Sequence, residues 1–306
     1  MPRPRVAILL GTFNGEDFLD AQLRSIERQV GPAWEMVVSD DGSQDGTLEC
    51  LSAFRRRAGE DRVSITSGPE RGYVANFLSL LHSPTDADYF AFADQDDVWD
   101  ADKLHRAVSV LSRLPQERPA LYCSRTRLID EQGRPLGLSP RFSRPPGFGN
   151  ALVQNIGGGN TMVFNRAGRE LLVAFGDVDV VSHDWWLYLV ISACGGEIIH
   201  DLEPSLDYRQ HRRNQIGSSQ HLSDRWDRLL LGLRGRKREW NDRHIAALNQ
   251  MSTLLTDDSR RVLSEFCYAR NAGLWGRLTG MRRAGVYAQS VAGTIGLVVA
   301  TILKLL

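Results

Sequence analysis

The chain has 306 residues, 42% of them hydrophobic and 24% charged, which is enough apolar material for one large α/β domain or one domain with a substantial extension. Its formal net charge is zero, which argues against a nucleic-acid binder, because duplex binding rests on many phosphate-neutralising cations. The zero hides an asymmetry: residues 1–204 hold 20 Lys+Arg against 29 Asp+Glu, and residues 205–306 hold 17 against 8, so a front of −9 precedes a rear of +9. An acidic front suits a cation-dependent site, and a basic rear suits an anionic surface. Cys50, Cys123, Cys194 and Cys267 lie far apart with no CxxC pairing, so neither a zinc knuckle nor a disulfide framework is expected. Met1–Arg5 runs into a strand-like segment without a signal-peptide apolar stretch, and a cytosolic protein is the expectation.

In chain order, Val6–Leu10, Met36–Ser39, Val63–Thr66, Tyr89–Ala93 and Leu121–Ser124 read as strands. Between them, Glu16–Arg28 places Leu19, Leu23 and Ile26 at helical spacing, and Ala101–Leu114 does the same with Leu104, Val108 and Leu111. This alternation predicts βαβ units and a mainly parallel, Rossmann-like sheet flanked by helices. After Asp130 the alternation loosens: Glu131–Arg134 reads as a turn, and Pro140–Gly149, rich in Pro, Gly and Arg, as a mobile loop. Ile156–Asn160 leads into a strand at Thr161–Phe164 and a helix from Arg166, Asp184–Cys194 reads as a buried helix, and Ile198–Arg209 returns toward the earlier strands. From Leu222 onward the pattern is helical and basic, with Trp226, Leu229, Leu230 and Leu233 beside Arg234–Arg238. Val286–Leu303 is largely apolar yet holds Gln289 and Ser290, borderline for a spanning helix of about 20 residues.

Ligands of open α/β sheets bind beyond the carboxyl ends of the strands, and three polar clusters fall there. They are Thr12-Phe-Asn14, Ser39-Asp-Asp-Gly-Ser43 and Asp94-Gln-Asp96. The third is the strongest signal, since the apolar strand Phe90–Ala93 ends abruptly in Asp94, Asp96 and Asp97. Carboxylates at a strand end are costly unless solvated, hydrogen-bonded or metal-bound. Asp94 and Asp96 suit Mg²⁺ or Mn²⁺ bridging donor phosphates. Asp100 is expected instead to cap the helix carrying Lys103 and Leu104. In the second cluster, Asp40 and Asp41 can accept from a base N–H or ribose hydroxyls, Gly42 allows the sharp turn, and Asp45 with Thr47 serves the turn and the next helix start.

Leu10-Gly-Thr-Phe-Asn-Gly15, Asp40-Asp-Gly-Ser-Gln-Asp-Gly-Thr47 and Asp94-Gln-Asp-Asp-Val-Trp99 together resemble glycosyltransferase family 2, the last in the form of its bacterial rhamnosyltransferase-like branch. The similarity continues through Gly157–Asn165, His183-Asp-Trp-Trp186 and Tyr208-Arg-Gln-His211, so it covers roughly residues 5–217. It implies a GT-A fold, inversion at the anomeric carbon, a nucleoside diphosphate sugar donor and a glycan or lipid-linked acceptor. The resemblance places Thr12, Asn14, Glu16, Asp40, Asp41 and Asn76 in the nucleotide pocket, and makes Asp94-Gln95-Asp96 the donor and metal motif. Asp184 then stands where the family carries its catalytic carboxylate, at the start of an apolar helix where it could be partly desolvated and more basic. Helix capping is its alternative role. Trp185 and Trp186 divide between sugar stacking and the core, with nothing in the sequence to assign them. His211 could ligate the metal and Arg209 bind diphosphate, with Asn214 beside them. The Gln-x-x-Arg-Trp motif of processive members is missing, as Gln220 precedes Arg225-Trp226 by too many residues, which fits single addition.

The expected organisation is a catalytic domain over 1–217, with nucleotide binding in 1–125 and acceptor binding in 126–217, followed by a helical basic region over 218–306. That last region is expected either to meet an anionic membrane surface through its arginines and apolar tail, or to pack on the sheet as an ordinary helical subdomain. dTDP-rhamnose is the first expected donor, UDP-glucose or UDP-galactose the next. A catalytically inactive nucleotide-sugar-binding protein of the same fold is the alternative. A nucleotidyltransferase lacks its glycine-rich loop here, and a glycoside hydrolase would leave the nucleotide clusters unexplained.

Overall fold

The computed structural model describes residues 3–211 and 236–306. Its strands are β1 (Arg5–Thr12), β2 (Ala33–Asp40), β3 (Val63–Ser67), β4 (Tyr89–Ala93), β5 (Val98–Trp99), β6 (Ala120–Ile129), β7 (Pro135–Leu138), β8 (Val163–Asn165) and β9 (Glu197–Arg209). They form one sheet in the order β3-β2-β1-β4-β8-β6-β9-β5, with β7 on the side of β6. The long pairings, β1 with β2 and β4, β2 with β3, and β6 with β9, are parallel. The antiparallel pairings run through the short strands β5, β7 and β8. The sheet is thus mostly parallel, as the alternating pattern predicts.

Alternate residues of the central strands feed two cores, because successive side chains leave a strand on opposite faces. Val6, Ile8 and Leu10 join Met36, Val38 and Ala91 under α1 (Glu16–Glu27), α2 (Thr47–Ala58) and α4 (Lys103–Leu111). Ala7 and Leu9 join Phe90, Phe92 and Phe164 on the other face, beneath α3 (Tyr73–Leu80), α6 (Arg166–Ala174) and α7 (His183–Ala193). With both faces covered, these strands read as continuous apolar runs. Helix α3 had no separate sequence signal. Its eight residues are largely apolar all round, and so short a run does not distinguish a buried strand from a buried helix.

In the C-terminal part the chain forms α8 (Arg236–Gln250), α9 (Asp257–Asn271), α10 (Leu274–Arg283) and α11 (Val291–Ile302). Leu248, Val262, Leu263 and Phe266 share the core that holds Trp186 and Phe164, so α8 and α9 pack on the catalytic sheet. Helices α9 and α10 approach closely at Gly280, where a Cβ would lie 2.7 Å from that of Ala269. Leu222, Trp226, Leu229, Leu230, Leu233 and Arg234 lie outside the described residues. No helix among the described residues is long and apolar enough to cross a membrane.

Two expectations are corrected. Asp100 does not cap α4: its carboxylate pairs with Arg127, and only its backbone carbonyl accepts from the Lys103 N–H at 3.1 Å. The Pro140–Gly149 stretch is held on both sides rather than loose. Arg144 donates to Gln289 Oε1 and the Ala288 carbonyl, each at 3.1 Å, and lies 4.2 Å over the Tyr287 ring. The Tyr188 hydroxyl meets the Gly147 N–H at 2.9 Å and Asn150 Oδ1 at 3.0 Å. Pro and Gly content reports local chain chemistry and is blind to side chains arriving from 40 to 145 positions away.

Candidate active site

The three polar clusters meet at the carboxyl edge of β1, β2 and β4. Strand β2 ends in Asp40, whose carboxylate accepts from the Thr12 hydroxyl at 2.7 Å and from the Ser43 N–H at 2.8 Å and hydroxyl at 2.6 Å. Asp41 turns the other way and accepts from the Glu70 N–H at 2.6 Å and the Gly72 N–H at 3.0 Å. Both carboxylates are buried, and each is matched by N–H or O–H donors, which makes burial affordable. Asn14, in the left-handed region at φ 46°, accepts from Gln44 N–H at 2.8 Å, and Glu16 accepts from Gly46 N–H at 2.7 Å. These two stitch the loop after β1 to the loop after β2. Asp45 receives the Thr47 N–H at 3.1 Å, the turn role expected of it.

Asn76 sits on α3 behind this wall. Its amide donates to the Ser39 carbonyl at 2.9 Å, while its buried Oδ1 has no partner among the described residues. A Cβ on Gly68 would stand 2.6 Å from that Oδ1 and 2.8 Å from Asp41 Oδ1, so glycine keeps this corner open. An acceptor left unpaired in an otherwise satisfied wall is a place for a ligand N–H or O–H.

After β4, the motif residues separate into distinct tasks. Gln95 spends both ends of its amide on Phe13, accepting from its N–H at 2.8 Å and donating to its carbonyl at 3.0 Å. Asp97 is fully buried, accepts from Asn160 at 2.6 Å and lies near buried Lys103, whose ammonium stands 3.7 Å over the Trp99 ring. Asp94 is pushed up to about 8, first by burial and then by the negative charges of Asp96 and Asp184. Asp184 and the motif also bond to adjacent residues, Gly159 donating to Asp184 and Asn160 to Asp97. Asp96 Oδ2 lies 2.6 Å from His211 Nε2.

Arg209, at the end of β9, gives its guanidinium to the carbonyls of Asp96 at 3.1 Å, Asp130 at 3.3 Å and Glu131 at 3.0 Å, and lies 4.8 Å over Phe18. In this arrangement it braces the motif backbone. Asp184, in the first turn of α7, accepts from the Gly159 N–H at 3.1 Å and the Trp185 N–H at 2.7 Å. Trp186 is the core tryptophan, with no exposed surface. Trp185 donates its indole N–H to the Ala151 carbonyl at 2.7 Å and meets Trp240 edge-on at 6.0 Å. Asn214 lies outside the described residues. Sequence reasoning gave no site role to Tyr73, Asn160 and Lys103, and named Ser43 only as the end of the second cluster. Tyr73, raised to about 12 by burial and then by Asp184 and Asp94, faces the same carboxylates.

Among the described residues no group of three His, Cys, Asp or Glu side chains forms a ready cage. Mg²⁺ and Mn²⁺ are held by one or two carboxylates plus substrate phosphates, so Asp94 and Asp96 beside His211 fit such an ion without a cage.

The chain is 27% identical over 263 residues to dTDP-rhamnosyl transferase RfbG of Shigella flexneri, covering 82% of this chain and 86% of that protein. It is 26% identical over 106 residues to the Escherichia coli UDP-Glc:alpha-D-GlcNAc-diphosphoundecaprenol beta-1,3-glucosyltransferase WfgD, covering 35% of this chain and 40% of that one. Among solved structures, mannosyltransferase PcManGT from Pyrobaculum calidifontis, in complex with GDP-Man and Mn²⁺, superposes with a TM-score of 0.56 at 21% identity, over 100% of this chain and 82% of that one. That likeness establishes the GT-A fold. The family model for glycosyl transferase family 2 matches residues 7–173, which carry all three strand-end clusters, and the chain belongs to that family.

Proposed function

We propose that this glycosyltransferase moves a sugar from a nucleoside diphosphate donor to an acceptor hydroxyl by a single displacement that inverts the anomeric carbon. The observation that carries the proposal is that the Asp94–Asp97 motif and Asp184 bond to neighbouring residues, Asn160 to Asp97 and Gly159 to Asp184, beside the wall of Asp40, Asp41 and Asn76. Asp40 and Asp41 shape the nucleoside end, and the Asn76 Oδ1 accepts a donor N–H or O–H. Asp94 and Asp96, with His211, would hold Mg²⁺ or Mn²⁺, whose charge would offset the diphosphate. The two N–H groups on Asp184 fix its carboxylate so that it can take the acceptor proton as the new bond forms. No protein nucleophile takes part.

The relative RfbG, named for dTDP-rhamnosyl transfer, supports dTDP-rhamnose as the donor, with UDP-glucose or UDP-galactose next. WfgD, whose name specifies a diphosphoundecaprenol acceptor, supports a lipid-linked acceptor in cell-surface glycan synthesis and hence work at a membrane surface. A donor panel with product mass analysis, run with and without Mn²⁺, tests the proposal. Transfer from one of these donors that stops on chelation is the expected result. Donor binding without turnover on any acceptor class would instead identify a nucleotide-sugar-binding protein.

A further inference from the structure

Helix α11 is apolar on the face it turns to solvent. Val291, Ile295, Val298, Val299 and Ile302 recur at the spacing of one helix face, and all five are exposed, Val291 to 79% and Ile295 to 61%. The opposite side does the packing: Ala300 is in the core, and Leu297 lies against it. No residue between Val291 and Ile302 is charged. An apolar stripe of this kind on a water-facing helix is costly to maintain unless something covers it.

Charge says what covers it. After Glu265 the chain has no acidic residue, but it has Arg270, Arg277, Arg282, Arg283 and Lys304. Among the described residues Arg270 is paired with Asp242 and Arg283 with Glu265, which leaves Arg277, Arg282 and Lys304 outside any ion pair there. The preceding helix α10 adds Trp275, 79% exposed, an aromatic of the kind that sits at a lipid–water boundary. Twelve residues make a helix about 18 Å long, well short of a hydrocarbon core of about 30 Å, so it can lie in a membrane surface and not cross it. A stripe about 18 Å by 10 Å is also far below the ~800 Å² per partner of an ordinary protein interface.

We propose that the α10–α11 hairpin seats the protein on an anionic lipid surface, with the Val291–Ile302 stripe entering the headgroup boundary and Arg277, Arg282 and Lys304 meeting lipid phosphates. This deepens the membrane-surface reading above by naming the contact face. It also links that face to the catalytic domain. Gln289, two residues before α11, donates its N–H to Gln154 at 2.9 Å and its amide to Asn150 at 3.3 Å, and Asn150 meets Tyr188 on α7, the helix that carries Asp184. The seat and the acceptor side are one packed unit.

Flotation of the full chain with vesicles of phosphatidylglycerol and phosphatidylethanolamine, against pure phosphatidylcholine, tests this. The chain should float with the anionic vesicles at low salt, and less so at high salt. The double variant Ile295→Glu, Val299→Glu, at positions open to solvent, should lower the floating fraction at least about tenfold while keeping the far-UV spectrum and donor turnover of the parent. No flotation of the parent with anionic vesicles, or equal flotation of the variant, overturns the proposal. So does a dimer in solution that the same substitutions abolish, which would make a second copy the occupant. Donor turnover in detergent-free buffer reads the transfer reaction separately, so its failure would count against the proposed chemistry and not against the lipid seat.

Discussion

The Nε2 atom of His211 lies 2.6 Å from Oδ2 of Asp96, across 115 positions of sequence. The contact joins the end of β9 to the loop after β4 and brings an imidazole to the carboxylate motif. At that separation the two side chains are directly hydrogen-bonded, so the imidazole steadies the carboxylate.

Replacing Asp96 by alanine should abolish divalent-dependent transfer and leave the fold intact, since Asp96 is partly exposed at a loop and outside both cores. Transfer rates across a Mn²⁺ titration of purified protein check this. A wild-type rate at every Mn²⁺ concentration would show that Asp96 has no part in holding the ion.

Asp184→Asn should keep nucleotide affinity and lose transfer by about two to four orders of magnitude, the range for a lost general base. The carboxamide is nearly isosteric and its single oxygen keeps one of the two N–H bonds, from Gly159 or from Trp185, so the first turn of α7 should persist. Calorimetry with the nucleoside diphosphate and single-turnover kinetics separate the two effects. Equal losses in both would point to a structural carboxylate. The anomeric configuration of the product, read by NMR, should be opposite to that of the donor, and retention would rule out single displacement.

His183 should make the fold sensitive to mild acid. The ring is buried, stacked on Phe77 at 3.9 Å, and neither nitrogen has a partner among the described residues, so burial lowers it from 6.5 to about 4. The unfolded chain therefore takes up the proton first as pH falls. Stability from this residue is complete above about 6.5 and declines through 4, by about 3 kcal/mol at the lower end. His183→Phe removes that component, so urea denaturation at pH 7 and pH 4.5 should show a smaller acid loss than the parent. An identical loss in both proteins would place the sensitivity elsewhere, with buried His244 as the next group, lowered to about 3 by burial and then by Arg243.

Tyr188→Phe should loosen the loop before α5 (Phe148–Ala151) without touching the carboxylates. The hydroxyl serves the Gly147 N–H, the Gly147 carbonyl and Asn150 Oδ1, and its removal should cost about 1–3 kcal/mol. Denaturation midpoints measure the loss, and limited proteolysis should cut first between Pro140 and Gly149. A variant as stable and as protease-resistant as the parent would mean that Arg144 and Tyr287 hold the loop by themselves.

The amino-acid sequence by itself determined the central layer and the position of the candidate site. Parallel strands buried on both faces must be continuous apolar runs, and a polar cluster that follows such a run can only emerge at its end. That is why Val6–Leu10, Met36–Ser39 and Tyr89–Ala93 were legible as strands, and why Thr12, Asp40 and Asp94 were legible as one edge. The tertiary structure alone decided which polar atom answers which. Gln95 is joined to Phe13, Asp100 was expected at a helix start and is joined to Arg127, and the expected mobile loop is clamped by Tyr188 and Gln289. It also decided that Trp186 is core and Trp185 is not, and that α11 turns an apolar face outward. Periodicity states which side of an element is apolar, but hydrogen-bond partners tens of residues apart are set by how the elements stack, and that is a property of packed volume rather than of any local pattern.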